Sequence, residues 1–274
     1  MYTDKLTATA SPNAGGNINA TFTSDDTSSQ AQKAFALKSF ERFSQCQKGT
    51  HPFIKEAEDA VRRLPSYGSW RKSQGLEAYV DKGLMSGGHD VNLQILDSEV
   101  THKMYCYPDA MHVNPPLFLY HVEKQLMTQL SFVEMHVENF DQIPANVVFN
   151  CTGTSAGRLN GRVENYMPTL GHFFLLGNQD TSSKERGFHN AMLVAPGADF
   201  TTSNGLSGRT GVHLFPRTGT IDGTDNNYQA FLGGSYIKGV ELDKLGFVTK
   251  EFENPEPFDF VLDNARKFFG KFSH

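Results

Sequence analysis

Cysteine is scarce in this chain: Cys46, Cys106 and Cys151 are its three, far apart in sequence. An odd count with no C-x-x-C pair argues against a disulfide scaffold and a cysteine zinc site, and it places the chain in the cytoplasm. Basic charge is also short. Lysine and arginine total 25 against 30 acidic residues, a net charge of -5, so nucleic acid is not expected as a partner. No apolar run approaches the roughly 18 to 20 residues that cross a bilayer, and Met1-Tyr2-Thr3-Asp4-Lys5 has no signal-peptide core, so no membrane partner is expected. The ten histidines form no H-E-x-x-H or other close ligand pair, and no metal site is expected. Asp222-Gly223-Thr224-Asp225-Asn226-Asn227 lacks the EF-hand spacing and its terminal glutamate, and reads as a polar hairpin turn.

What is present suffices for a folded core. The 274 residues suit one large or two modest domains, and 22 phenylalanines supply apolar bulk. Residues 1–28 are polar and rich in Gly, Ser, Asn and Thr, which predicts a loop or tail. A helix is expected over 29–47, where Phe35, Leu37, Phe40 and Phe43 fall near helical spacing and Ser28 or Ser29 caps the start. A second helix is expected over 54–63, stopping before Pro65. Residues 66–102 give no firm pattern beyond a turn at Gly87-Gly88-His89-Asp90. A short strand over 103–107 precedes Pro108. Asn114-Pro115-Pro116 then opens a helix of about fifteen residues, with Asn114 as N-cap and proline in the first turn. Strands over 131–137 and 147–150 complete an order that predicts an α/β layer. From Gly171 the pattern turns β-rich, with strands over 173–176, 191–195, 211–216 and 228–236, and a helix over 258–269 closes the chain.

The stretch Val147-Val148-Phe149-Asn150-Cys151-Thr152-Gly153-Thr154-Ser155-Ala156-Gly157 is the most informative. A β-branched run ending in small residues is how a buried strand reads when it stops beneath a ligand. Without side chains, the ligand can approach the backbone. The same residues also suit a plain strand end turning into a helix. Cys151 suits a small packing residue better than a nucleophile, because no base lies near it in sequence.

Four segments together resemble the D-amino acid oxidase family of FAD-dependent oxidoreductases. They are Thr7-Ala8-Thr9-Ala10-Ser11-Pro12-Asn13-Ala14-Gly15-Gly16-Asn17-Ile18, Met111-His112-Val113-Asn114-Pro115-Pro116-Leu117-Phe118-Leu119, Asn150-Cys151-Thr152-Gly153, and the stretch 212–239. Within the last, His213-Leu214-Phe215-Pro216-Arg217 and Phe231-Leu232-Gly233-Gly234-Ser235-Tyr236 are similar to the family's "YIIPR" and "LGGTY" strands. The order and spacing match over most of the chain. Three features depart from the pattern. The G-x-G-x-x-G unit that sets a helix N-terminus against the pyrophosphate is absent, as is any counterpart of the family's C-terminal segment. His213 stands where the family strand has tyrosine.

The resemblance implies an α/β (α+β) fold, with a partial Rossmann-like FAD-binding layer and a substrate domain on a mixed or antiparallel sheet. It assigns 1–50 and 100–165 to the flavin part, 51–99 and 166–250 to the substrate part, and 251–274 to a C-terminal helix. It implies FAD as cofactor, held by Thr9, Ser11, Ala14, Gly15, Gly16, Asn150, Cys151, Thr152 and Gly153. It puts His213 and Arg217 on the substrate. They lie four apart on a strand and so face one side. Arg217 can fork onto a carboxylate or be a surface arginine near a turn, and His213 can be a base or a hydrogen-bonded structural residue. The expected activity is flavin-dependent oxidation of a C–N bond in a small-molecule amine or amino acid. The competing expectation is a truncated, inactive family remnant that acts as a binding module or half of a split enzyme. Exposed sheet edges would then pair in a homo-oligomer or with a complementing chain.

Overall fold

The computed structural model describes residues 2–3, 16–19, 27–69, 72–94, 100–153, 156–161, 169–176, 191–217, 220–221, 224–225, 229–241 and 254–270. The elements run β1 Tyr2–Thr3, α1 Thr27–Gln47, β2 Val61–Gly68, α2 Gln74–Val80, β3 His89–Gln94, β4 Thr101–Val113 and α3 Pro115–Leu126. Then come β5 Val133–Glu134, a 3-10 turn Phe140–Gln142, α4 Ala156–Leu159, β6 Thr169–Leu170, β7 Phe173–Leu176 and β8 Met192–Thr201. Last are β9 Ser207–Arg217, β10 Thr220–Ile221, β11 Thr224–Asp225, β12 Gln229–Lys238 and α5 Glu256–Phe269.

Eight strands form one mixed sheet in the order β3-β4-β2-β8-β9-β12-β6, with β7 also on β12. Every pairing is antiparallel except β2 with β8. Alternation along the strands sorts the core onto two faces. Leu193, Val212, Leu214 and Leu232 meet Ala265 and Phe269 of α5 on one face. Met192, Phe215 and Phe231 face the other way and join a cluster that includes Phe40 of α1 and Tyr79 of α2. Phe40 and Tyr79 stack with ring centres 4.3 Å apart, and the Arg63 guanidinium lies 4.6 Å above Phe40. This mixed α/β architecture is the expected fold class. Of a parallel layer, the described residues hold a two-residue ladder, Tyr2 with Val133 and Thr3 with Glu134. The large sheet takes β4 from the stretch 100–165. No described helix is long and apolar enough to cross a membrane.

Several sequence expectations are corrected. The apolar spacing over 54–63 belongs to a loop followed by β2, because Val61 begins a strand held between β4 and β8. Neither Pro65 nor Pro108 stops its strand. Both fall where the β2–β4 register slips, between Leu64 opposite Ala110 and Ser66 opposite Tyr107. A bulge releases residues from ladder bonding, so the missing proline N–H costs nothing there. His89 and Asp90 open β3 rather than complete a turn. The strand expected over 131–137 shrinks to Val133–Glu134. Residues 147–150 form no strand, and Val147 and Phe149 are 70% and 86% exposed. Propensity alone does not make a strand without a partner ladder. Helices form over 29–47 and 258–269, though α1 begins at Thr27, so Ser28 and Ser29 lie inside it. Strands form at 173–176, 192–195, 211–216 and 229–236, with β8 running on to Thr201 and β9 starting at Ser207. Of the polar turn expected over 222–227, Thr224–Asp225 form β11, antiparallel to β10, and 222–223 and 226–227 lie outside the described residues.

Candidate functional site

Three of the four family-like segments have described residues that can be placed against a neighbouring element. The first enters at its end: Thr9, Ser11, Ala14 and Gly15 lie outside the described residues, and Gly16 lies inside them. Val113 N–H donates to Gly16 O at 2.8 Å, and Ile18 N–H donates to Met111 O at 3.1 Å. The segment thus adds a short antiparallel run to the end of β4, where the second family-like segment begins. Gly16 has φ +79°, and a Cβ there would sit 1.8 Å from Val113 O and 3.1 Å from Pro115 Cδ. Glycine is needed here for the turn and for the close approach to β4. Asn114 precedes α3 as expected, although its side chain makes no capping bond.

The third segment is a self-contained turn. Asn150 Oδ1 accepts from Thr152 Oγ1 at 2.7 Å and from Thr152 N–H at 3.3 Å. Asn150 Nδ2 donates to Ala156 O at 3.2 Å and to Asn160 Oδ1 at 3.3 Å. Cys151, Thr152 and Gly153 are exposed, and Gly153 has φ +59° with nothing within 4 Å of a Cβ. Among the described residues, the bonds of Asn150 and Thr152 stay within the turn that leads to α4. The plain turn reading accounts for them. One further pattern lies here: Gly153-Thr154-Ser155-Ala156-Gly157 spells G-x-S-x-G. A nucleophile elbow needs a strand running into it, and 147–150 is not one. Ser155 lies outside the described residues.

The fourth segment builds the most developed surface. β9 and β12 pair with Phe215 opposite Phe231 and His213 opposite Gly233. His213 is half-buried on the face away from α5. A Cβ on Gly211 would meet its Nε2 at 3.0 Å, and one on Gly234 would meet its Nδ1 at 4.0 Å, so the ring lies along the sheet between two glycines. Among the described residues it has no hydrogen-bond partner, and its nearest ring is Phe215 at 6.0 Å. Burial pushes its pKa below the usual histidine value, so the imidazole is neutral near pH 7. Arg217 shares that face but is only 6% exposed. Its guanidinium lies 5.5 Å from the Phe231 ring and 5.9 Å from Phe173, two rings that stack at 4.3 Å. As placed, Arg217 packs in an aromatic cluster and is not a surface arginine.

Sequence reasoning missed a polar chain near the first segment. Tyr107 O–H donates to Glu77 Oε1 at 2.7 Å, and Ser73 N–H donates to Tyr107 Oη at 3.0 Å. Ser73 Oγ reaches Asn19 Oδ1 at 3.0 Å, which ties the Gly16 segment to α2. Burial, with the Glu77 carboxylate, holds the Tyr107 phenol far above its ordinary pKa. The only signal in sequence was a run of three aromatic or small residues at 105–107, too common to single out.

Tested against a flavin, these residues fit in part. His213 sits half-buried between Gly211 and Gly234 on the face it shares with Phe215. The Asn150 turn spends its polar groups on itself and offers no evident pyrophosphate cradle. No step is therefore assigned at a phosphate.

No protein-family model and no curated protein sequence matches the chain. Solved structures do match. A glycine oxidase from Geobacillus kaustophilus superposes with a TM-score of 0.53 at 11% identity, over 97% of this chain and 70% of that one. A glycine oxidase from Bacillus cereus gives 0.50 at 11% identity, over 97% and 71%. At such identity the likeness shows the fold alone.

Proposed function

We propose that this chain is an FAD-dependent oxidoreductase-like protein that oxidises a C–N bond of an amino acid or amine. The reading draws on the four family-like segments and on the glycine oxidase fold. The observation that carries it is His213, half-buried and neutral between Gly211 and Gly234 on an aromatic sheet face. Bound flavin would supply the hydride acceptor, and the chain would supply orientation and proton handling. A neutral imidazole nitrogen can take the proton that an ammonium substrate must lose before its carbon is oxidised. The test is oxygen uptake by FAD-reconstituted protein with glycine, other amino acids and simple amines. Uptake that falls with His213→Ala supports the reading. Flavin retention without turnover of any amine, unchanged by His213→Ala, counts against it.

One observation favours a second reading. Val147 and Phe149, apolar and β-prone, stand 70% and 86% exposed. A binding module or half of a split enzyme would cover them with a second copy or a complementing chain. A concentration-dependent oligomer in light scattering, lost in a Val147→Asp/Phe149→Asp double variant, supports this second reading. A monomer at all concentrations removes its homo-oligomeric form.

A further inference from the structure

The strongest unassigned feature lies on the same sheet face as His213, at the other end of β9. Asp199, Arg209 and Tyr236 are cross-strand neighbours in register, Thr201 pairs with Ser207 in the next row, and Lys238 follows Ile237 at the end of β12. The six, with the backbone of Phe200 and Gly208 between them, line an open cleft of about 690 Å³. Phe200, Gly208 and Ile237 point to the opposite face, where Phe260 of α5 stacks on Phe200 at 4.7 Å. α5 is thus spent on the far side and leaves the cleft uncovered.

The chemistry of the cleft is specific. Arg209 touches acid only through Nε, 3.7 Å from Asp199, and the two side chains are 65% and 87% exposed. A pair that open is largely screened and leaves the guanidinium available to a better anion. Lys238 Nζ sits 5.6 Å from the centre of the Tyr236 ring, the cation's one close contact among the described residues. Tyr236 is itself more than half exposed. Two hydroxyls, Thr201 Oγ1 and Ser207 Oγ, lie 3.4 Å apart beside them. Two cations, an exposed tyrosine ring and a hydroxyl pair thus share one open surface.

We propose that this cleft binds a small ligand in which a carboxylate or phosphate is joined to a flat ring. Arg209 and Lys238 hold the anion, Tyr236 stacks on the ring, and the hydroxyls bond the ligand's polar substituents. Arg209 lies four residues from His213, roughly 13 Å along the strand, so the cleft is separate from the His213 surface and does not depend on flavin there.

The test is isothermal titration of the full chain, without FAD, with phenyl phosphate, benzoate, inorganic phosphate and phenol. Binding of phenyl phosphate or benzoate at least about tenfold tighter than either inorganic phosphate or phenol supports the site, and the tighter of the two identifies the anion. Arg209→Gln and Lys238→Gln are each expected to weaken binding about tenfold, with Tm unchanged because both residues are exposed. Tyr236→Ser should remove the advantage of the ring and leave the anion's own affinity. Absence of binding in the wild type, or equal binding by wild type and Arg209→Gln, overturns the proposal.

Discussion

Arg217 and His213 share one face of β9, yet the structure places them in different surroundings. Arg217 lies against Phe173 and Phe231, so its replacement should act on stability first. Arg217→Met is expected to lower unfolding free energy by about 1–2 kcal/mol, read from urea midpoints. An unchanged midpoint would contradict the packing role. Three histidines contribute to the response to pH. His51, His172 and His213 all have pKa values lowered by burial. Unfolding exposes them and restores the ordinary value near 6.5, so the unfolded chain binds more protons below that pH. Their stabilising contribution is therefore full above about pH 6.5 and falls as pH drops toward the folded values. Urea midpoints should decline between pH 7.5 and 5, and His172→Gln should flatten the decline. A midpoint that rises on acidification would overturn this assignment. The shared face of His213 and Arg217 was legible from their spacing of four on a strand. The burial of Arg217 was not, because Phe173 reaches it from β7, distant in sequence.

Elements with a full apolar period were the most legible. α5 buries Val261, Ala265 and Phe269 at intervals of four, and the C-terminal half of β9 sets Val212 and Leu214 against α5 and Phe215 on the other face. Strands interrupted by proline were not legible. Pro65 and Pro108 read as terminators until both are seen at one bulge between β2 and β4. The strand expected over 147–150 failed for the converse reason: its residues favour extension, but no described ladder receives them. The Gly16 segment links the N-terminal region to β4, and it depends on one backbone conformation. Gly16→Ala must adopt φ +79° and press a methyl against Val113 O. A loss of about 1–3 kcal/mol is expected, with faster amide exchange at Ile18 and Val113, whose N–H groups bond across this contact. Wild-type exchange rates in the variant would mean the segment does not dock as described.

At the scale of the whole molecule, the eight-stranded mixed sheet with helices on both faces was foreseeable as a class, while the layer that would hold a nucleotide was not resolved by pattern. The fourth family-like segment presents His213 and Arg217 on the non-α5 face, and the Gly16 segment bonds to the end of β4. If FAD binds as proposed, it does so without a G-x-G-x-x-G unit in the sequence to seat its pyrophosphate. The most direct measurement is a visible absorbance spectrum of the full chain after incubation with FAD and removal of the excess. The account predicts a retained flavin band, diminished in His213→Ala. A colourless, folded wild-type protein would contradict it.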